Sequence, residues 1–405
     1  MRYVPSATVL SMAVYGSSGL AFVGANLLLA RELSTREFAL LTLLVALNTL
    51  GCYLAPLGLD AVVTRGQIDV GWSLLKRAAG VATGVGLVVC VAAFVFYELS
   101  AAMALLLFAG TAAGGLMLVA SARFQREQRF GISLALLQSP NLLLLLGAVA
   151  TIASGARTAD LSFEILTGGL CLAALLGWAL VLRERRPAMV GAAGVPWNEA
   201  LLLAGVAAAG MLFIQLERLV IPHVLSVADL ALFGVLGAIA GSIFRLLQMG
   251  VGFSLLPRLR AAPTVFERRQ LIARELRFAV VIAAVGSAAI LVLTPLIERW
   301  LLEGKYHLSM ALLVAALFSG IAKIAHAFAR AAATALATPR ELAFVNWAGW
   351  LSAAVAIGSA VVAAPWGLTG VVYGVGVGWL AWAVMSFVVV SHHLRLPAAV
   401  AAETR

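Results

Sequence analysis

Leu27-Leu28-Leu29-Ala30-Arg31-Glu32-Leu33-Ser34-Thr35-Arg36-Glu37-Phe38-Ala39-Leu40-Leu41 decides how the rest of the chain reads. A short polar break, residues 31–37, separates two apolar runs, 8–30 and 38–61. The first run is too long for the apolar core of a secretion signal, has no basic run before it, and enters the break without a cleavage site of small residues. It is therefore retained as a membrane span, and the second run follows it back across. Each run exceeds the roughly 20 residues needed to cross a ~30 Å hydrocarbon core.

Outward from this hairpin the pattern repeats. The 405 residues are 63% hydrophobic and 11% charged, with a mean hydropathy of +1.03, which excludes an ordinary soluble domain. About twelve apolar spans are expected: 8–30, 38–61, 77–97, 101–122, 132–153, 162–182, 199–222, 229–256, 278–300, 308–329, 341–362 and 366–391. A helix satisfies its own backbone in lipid, and alternating strands of about ten residues are absent, so each span is read as a helix. The expected class is an all-α polytopic membrane protein.

Loop charge orients it. With a cytoplasmic N-terminus, the inner loops collect Arg65, Lys76 and Arg77; Arg123, Arg126 and Arg129; Arg183, Arg185 and Arg186; six arginines from Arg258 to Arg277; and Arg330 and Arg340. The outer loops hold Arg31, Arg36, Arg157, Arg299 and Lys305. This asymmetry follows the positive-inside rule and accounts for the net charge of +10 as contact with membrane lipid, with no nucleic acid implied. Cys52, Cys90 and Cys171 lie within spans, lack metal spacing and read as packing residues. Arginine-rich, alanine-rich usage points to a bacterial inner membrane, with both termini cytoplasmic.

Pro187, Pro196 and several glycines mark 184–198 as a linker between an N-terminal six-helix lobe (1–183) and a C-terminal one (199–391), followed by a cytoplasmic tail (392–405). A shift of 192 residues places Leu33, Ser34, Glu37, Ala39, Leu40 and Gly58 on Leu225, Ser226, Asp229, Ala231, Leu232 and Gly250. Even numbers of spans make the repeats parallel. Two lobes around a central cleft are expected.

Three basic residues are left over from the topology: Arg218, Arg245 and Lys323. A cation at the centre of a span costs roughly 2.5–3.5 kcal/mol on insertion scales, so something anionic is expected to use it. Arg245 shares a stripe with Gly241, Ser242, Gln248 and Met249; Ser319, Lys323, His326 and Arg330 share another. Arg218 follows Gln215 by three and lies nearer the outer side. The first lobe offers an uncharged stripe, Ser11, Tyr15, Ser18 and Asn26. Structural ion pairing is the competing explanation for each cation, Glu217 being the partner at hand for Arg218. Asp60 and Arg65 read as a cap or gate. Glu217 is a candidate for ion coupling; His326 is one for proton coupling, or simply a satisfied polar residue. Glycines 80, 84, 86, 110, 114, 370, 374 and 378 suggest close helix approach. Pro140 suggests a bend, and Trp347 and Trp350 are candidates for stacking on sugar or for packing.

Several short motifs carry a family resemblance. Arg31-Glu32-Leu33-Ser34-Thr35-Arg36-Glu37-Phe38 resembles the R-x-L-x-x-x-E-[YF] turn of polysaccharide and O-antigen flippases. Gly58-Leu59-Asp60 through Arg65 is similar to their G-L-D-x-x-x-x-R element, and Glu217-Arg218-Leu219-Val220-Ile221 to D-R-x-x-I, with Glu217 in place of aspartate. Leu256-Pro257-Arg258 and Gly304-Lys305-Tyr306 match further landmarks. The resemblance implies the multidrug/oligosaccharidyl-lipid/polysaccharide exporter superfamily, a polyprenyl-diphosphate-linked oligosaccharide as substrate, and glycan polymerase or glycosyltransferases as partners. A diphosphate leaving water needs fixed donors, which Arg218, Arg245, Lys323, Gln248 and His326 would supply at successive depths. The alternatives are a cation-coupled multidrug antiporter, a membrane glycan polymerase or ligase, and a scaffold. No nucleophilic triad, zinc spacing or nucleotide loop is present, and no cofactor is expected.

Overall fold

The computed structural model describes residues 7–65, 68, 70–184, 194–241, 244, 255, 258, 259 and 262–394. All regular structure among them is helical: α1 (Ala7–Glu32), α2 (Thr35–Leu54), α3 (Leu59–Thr64), α4 (Trp72–Tyr97), α5 (Ala101–Arg126), α6 (Phe130–Ser154), α7 (Asp160–Arg183), α8 (Trp197–Val224), α9 (Val227–Ile239), α10 (Val265–Leu296), α11 (Met310–Leu336), α12 (Pro339–Ala363) and α13 (Gly367–Ser391). Nine stretches of the described residues are long and apolar enough to cross a membrane. One of these, Arg340–Ser391, is itself two helices, α12 and α13, joined by a 3-10 turn at Ala364–Trp366 and by Gly367 at φ +67°. The protein is an all-α membrane protein.

The opening polar break closes as a capped turn. Ser34 Oγ accepts from Glu37 N–H at 3.2 Å, and the Glu37 carboxylate accepts from Ala159 N–H at 2.9 Å, which pins this turn to the start of α7. In the second half Ser226 Oγ accepts from Asp229 N–H at 3.2 Å, the same cap 192 residues later. The repeat then extends well past the two spans that expose it in sequence. A shift of 192 carries the end of α1 onto the end of α8 and the start of α2 onto the start of α9, and brings the start of α4 within one residue of α10. From α5 the shift becomes 209: Ala101 falls on Met310, and Phe130 and Ser154 fall on Pro339 and Ala363. The extra residues lie in the longer α10, its π-helical end at Ile297–Leu301, and the loop carrying Gly304. Sequence comparison at one fixed shift loses the repeat there.

One expected span ends early. The run 38–61 is broken after Leu54, because Leu57 and Gly58 take φ +45° and +80° before α3 begins. A Cβ on Gly58 would meet the backbone of Ala200 on α8, so the G-L-D glycine is required by both its conformation and its neighbour. The expected span 229–256 lies only partly within the described residues.

Packing groups the helices into two compact units. One compact unit comprises Met1–Pro222 with Ser226–Val235, the other His223–Leu225 with Leu236–Arg405. In the first, α5 packs against α2, α4, α6 and α7, and α1 lies along α6. Helix α8 belongs here through Gly58 at Ala200, the Arg65–Glu199 pair, and Tyr97 OH donating to Leu219 O at 3.1 Å. In the second unit α13 lies between α11 and α12.

Glycine seams make these approaches possible. Cβ atoms on Gly114 and Gly115 would collide with Cys52 of α2 and with Ala55 at its C-cap, and those on Gly374 and Gly378 with α12 at Ser359–Ala360 and Ala356. Gly80 and Gly84 differ from the sequence expectation, since nothing lies within 4 Å of their Cβ positions. Gly114→Val should therefore cost about 2 kcal/mol by overpacking, whereas Gly84→Val should change stability by less than about 0.5 kcal/mol. Thermal midpoints of the two variants in detergent would check this.

Candidate functional site

The interior stripe of α11 meets α13 in the second unit. Ser309 caps α11 by accepting from Leu312 N–H at 3.2 Å, and the helix then runs unbroken to Leu336. Ser319, Lys323 and His326 recur at spacings of four and three, so they share one face. That face packs on Gly376, Trp379 and Trp382. Gly376 has no side chain, so Phe318 and Ser319 approach the α13 backbone closely.

Lys323 is half-buried, and its Nζ stands 5.8 Å from the centroid of the Trp379 ring. The His326 ring lies 5.1 Å from Trp379, edge on, and 4.1 Å from Trp382. Trp382 is held in turn by its Nε1 donating to Val345 O on α12 at 3.2 Å. His326 is 3% exposed and both tryptophans 2%. His326 Nε2 and Ser319 Oγ are buried with no hydrogen-bond partner among the described residues. The arrangement is an aromatic seat with one ammonium above it.

The repeat shows what the fold itself needs at these positions. Counting 209 residues back, Lys323 and His326 correspond to Gly114 and Met117 on α5. For α13 the helix limits give a shift of 207 to 208, which sets Trp379 opposite Cys171 or Leu172, and Trp382 opposite Ala174 or Leu175. The first repeat thus builds the same helix contact with small and aliphatic residues. Trp379 and Trp382 are absent from the sequence expectations, although their spacing of three on an apolar helix was the signal that could have found them.

The other expected residues are dispersed. Arg218 is 7% exposed and lies within the first unit, its Nη1 donating to Gln215 Oε1 at 2.7 Å and its guanidinium 5.9 Å from the Phe233 ring. Glu217, beside it, is 1% exposed. Asp60 lies in the first turn of α3, where a carboxylate suits the helix dipole, and Arg65 ends the same helix in a 2.5 Å pair with Glu199. Arg245 and Gln248 lie outside the described residues. Trp347 and Trp350 are exposed on α12. In the first unit the uncharged stripe is used: Ser18 Oγ donates to Gln138 Oε1 at 2.7 Å and accepts from Asn141 Nδ2 at 2.8 Å, tying α1 to α6 on both sides of Pro140. Asn26 donates to Phe22 O within its own helix.

A second polar centre closes the ends of α5, α6 and α7. Arg123, 4% exposed, donates through Nε to Glu127 Oε1 at 3.1 Å, through Nη1 to Val181 O, and through Nη2 to Glu184 O at 3.2 Å. It thereby caps the carbonyl end of α7. Arg126 donates to Ile68 O at 2.9 Å. The hydrogen bond from Arg129 to Glu184 raises the Arg129 guanidinium further above its ordinary value. Among the described residues no group of three His, Cys, Asp or Glu is placed to hold a metal ion.

Solved structures share this architecture. An inward-facing multidrug resistance MATE family transporter of the MOP superfamily superposes with a TM-score of 0.65, covering 95% of this chain and 98% of that one at 13% identity. The lipid II flippase MurJ, in an inward closed conformation, gives 0.62, covering 95% of this chain and 87% of its own at 13% identity. An outward-facing MATE transporter gives 0.55, covering 95% and 94% at 13% identity. The fold is that of the MOP transporters. No protein-family model matches the chain. No curated protein sequence matches it either. Within the MOP fold, the cluster on α11 and α13 is therefore assessed by its own chemistry.

Proposed function

We propose that this protein is a transporter that moves a polyprenyl-diphosphate-linked oligosaccharide from the cytoplasmic to the outer leaflet of a bacterial inner membrane, by alternating access of its two six-helix halves. The observation that carries this reading is Lys323, an interior cation on a helix whose repeat-related partner has Gly114 at that position. A cation that the fold does not require, in a place where it costs several kcal/mol, is retained for what it binds. A diphosphate fits: it carries the opposite charge and needs donors to replace its water shell, while the prenyl tail stays in lipid. Arg245 on the eighth span and Arg218 on α8 complete the set of interior cations in this reading. The resemblance of the Arg31–Phe38 turn to polysaccharide flippases, and the shared fold with a lipid II flippase, support the same class. Cytoplasmic termini and enzymes that assemble and polymerise the glycan belong to the proposal as well.

One observation favours a second reading. Glu217 is a carboxylate buried in α8, and a cation-coupled multidrug antiporter would use such a group. Purified protein in phosphatidylethanolamine and phosphatidylglycerol vesicles separates the two. A polyprenyl-diphosphate-linked monosaccharide should become accessible in the opposite leaflet, the matching polyprenyl monophosphate much more slowly, and a lipophilic organic cation should not move. Transport of the organic cation with no movement of the diphosphate lipid would replace the first reading by the second.

A further inference from the structure

We infer that Trp379 is the positioning residue of the anion site, and that His326 acts through it and does not touch the substrate. This rests on the flippase reading, and it names how Lys323 is presented there. A lysine side chain is a point charge on a four-carbon stem with several rotors, so unaided it would have to be ordered at the moment the anion binds. In this structure the ordering is done beforehand. The negative face of the buried Trp379 ring lies 5.8 Å from Lys323 Nζ, an attractive cation–π geometry.

The ring needs support of its own, and two neighbours provide it. His326 packs edge on against Trp379 at 5.1 Å and lies against Trp382 at 4.1 Å, filling the corner between the two indoles, which stand 6.0 Å apart. Trp382 is anchored to α12 through Val345 O. The order of action is α12, Trp382, His326, Trp379, Lys323. Burial assigns the roles: Lys323 is half-buried and able to meet a ligand, whereas His326 at 3% and Trp379 at 2% are enclosed. The first repeat has no aromatic residue at either tryptophan position and no cation at Gly114, so seat and cation occur together and are missing together.

The test is a set of variants assayed in vesicles with the polyprenyl-diphosphate-linked monosaccharide, measuring KM and maximal rate separately, with protein level and thermal midpoint as controls. Trp379→Leu should raise KM about 5–30-fold, the loss of one desolvated cation–π contact, with the maximal rate within about twofold of wild type. Trp379→Phe, which keeps an aromatic face, should recover most of the affinity. His326→Phe, which keeps the ring but removes both nitrogens, should behave as wild type, while His326→Ala should resemble Trp379→Leu. In a Lys323→Met background, Trp379→Leu should add nothing. A His326→Phe protein that folds but has lost affinity would make His326 a direct ligand and overturn the inference, as would full additivity of Trp379→Leu and Lys323→Met. Wild-type KM in Lys323→Met alone would instead remove the anion site itself, and this inference with it.

Discussion

Arg123→Ala lowers the thermal midpoint in detergent by about 4–6 °C, corresponding to a loss of about 3–5 kcal/mol. Arg123 is buried and engages three groups on two helices: the Glu127 carboxylate and the carbonyl oxygens of Val181 and Glu184. Alanine removes all three bonds at once. It also takes the nearer of two guanidinium groups, Arg129 being at 3.9 Å, from the Glu127 side chain, which is 7% exposed, and uncaps the carbonyl end of α7. Breaking a buried pair costs more than the pair contributes, because the surviving charge stays out of water. Arg123→Lys should recover only part of the loss, since an ammonium cannot reproduce a planar fork aimed at three acceptors. Arg65→Ala provides the contrast. Its pair with Glu199 is shorter, yet the Arg65 side chain is 54% exposed, so the cost should stay below about 1 kcal/mol. Equal shifts for the two variants would refute the distinction drawn between them.

Lys323→Met reduces transport of the diphosphate lipid by about 10–100-fold, the equivalent of about 1.5–3 kcal/mol for a hydrogen bond to a charged group. Its effect on stability should be small. Methionine has similar length and can keep an apolar contact with the Trp379 ring, the methionine at the repeat-related position of His326 shows that the fold accommodates it on this face, and the lost cation–π contact is offset by the desolvation cost of the removed charge. The thermal midpoint should therefore hold while transport falls. That divergence separates a ligand-binding cation from a structural one, because Arg123→Ala loses stability first. Flipping at the wild-type rate in well-folded Lys323→Met vesicles would remove the anion site from α11.

How much of this is legible in the residues differs from element to element. The turn at 31–37 reads in sequence only as a polar break between two spans; that Ser34 caps the second helix by accepting from Glu37 N–H comes from the structure. The expected close approach holds at Gly114, Gly374 and Gly378, where a partner helix lies against the missing side chain. It fails at Gly80 and Gly84, which look the same in sequence because a small residue marks a possible contact and not which neighbour arrives. Arg123 reads as one more inner-loop charge, although its partners Val181 and Glu184 are about 60 residues away in the chain. The tryptophan seat was missed for the same reason: Trp379 and Lys323 are brought together by packing of α13 on α11.

Sequence alone determined that this is a many-helix membrane protein, roughly where its spans lie, and that basic residues recur within the spans of its second half. These are properties of local hydropathy, which the bilayer enforces span by span. Only the tertiary structure decided that the repeat continues past an inserted stretch to the last described helix of each half, that Arg123 is a structural tie, and that Lys323 stands on an aromatic seat the first repeat lacks. Those facts depend on which helices touch. Contact between distant segments is set by side-chain fit across the bundle, and no hydropathy profile records it.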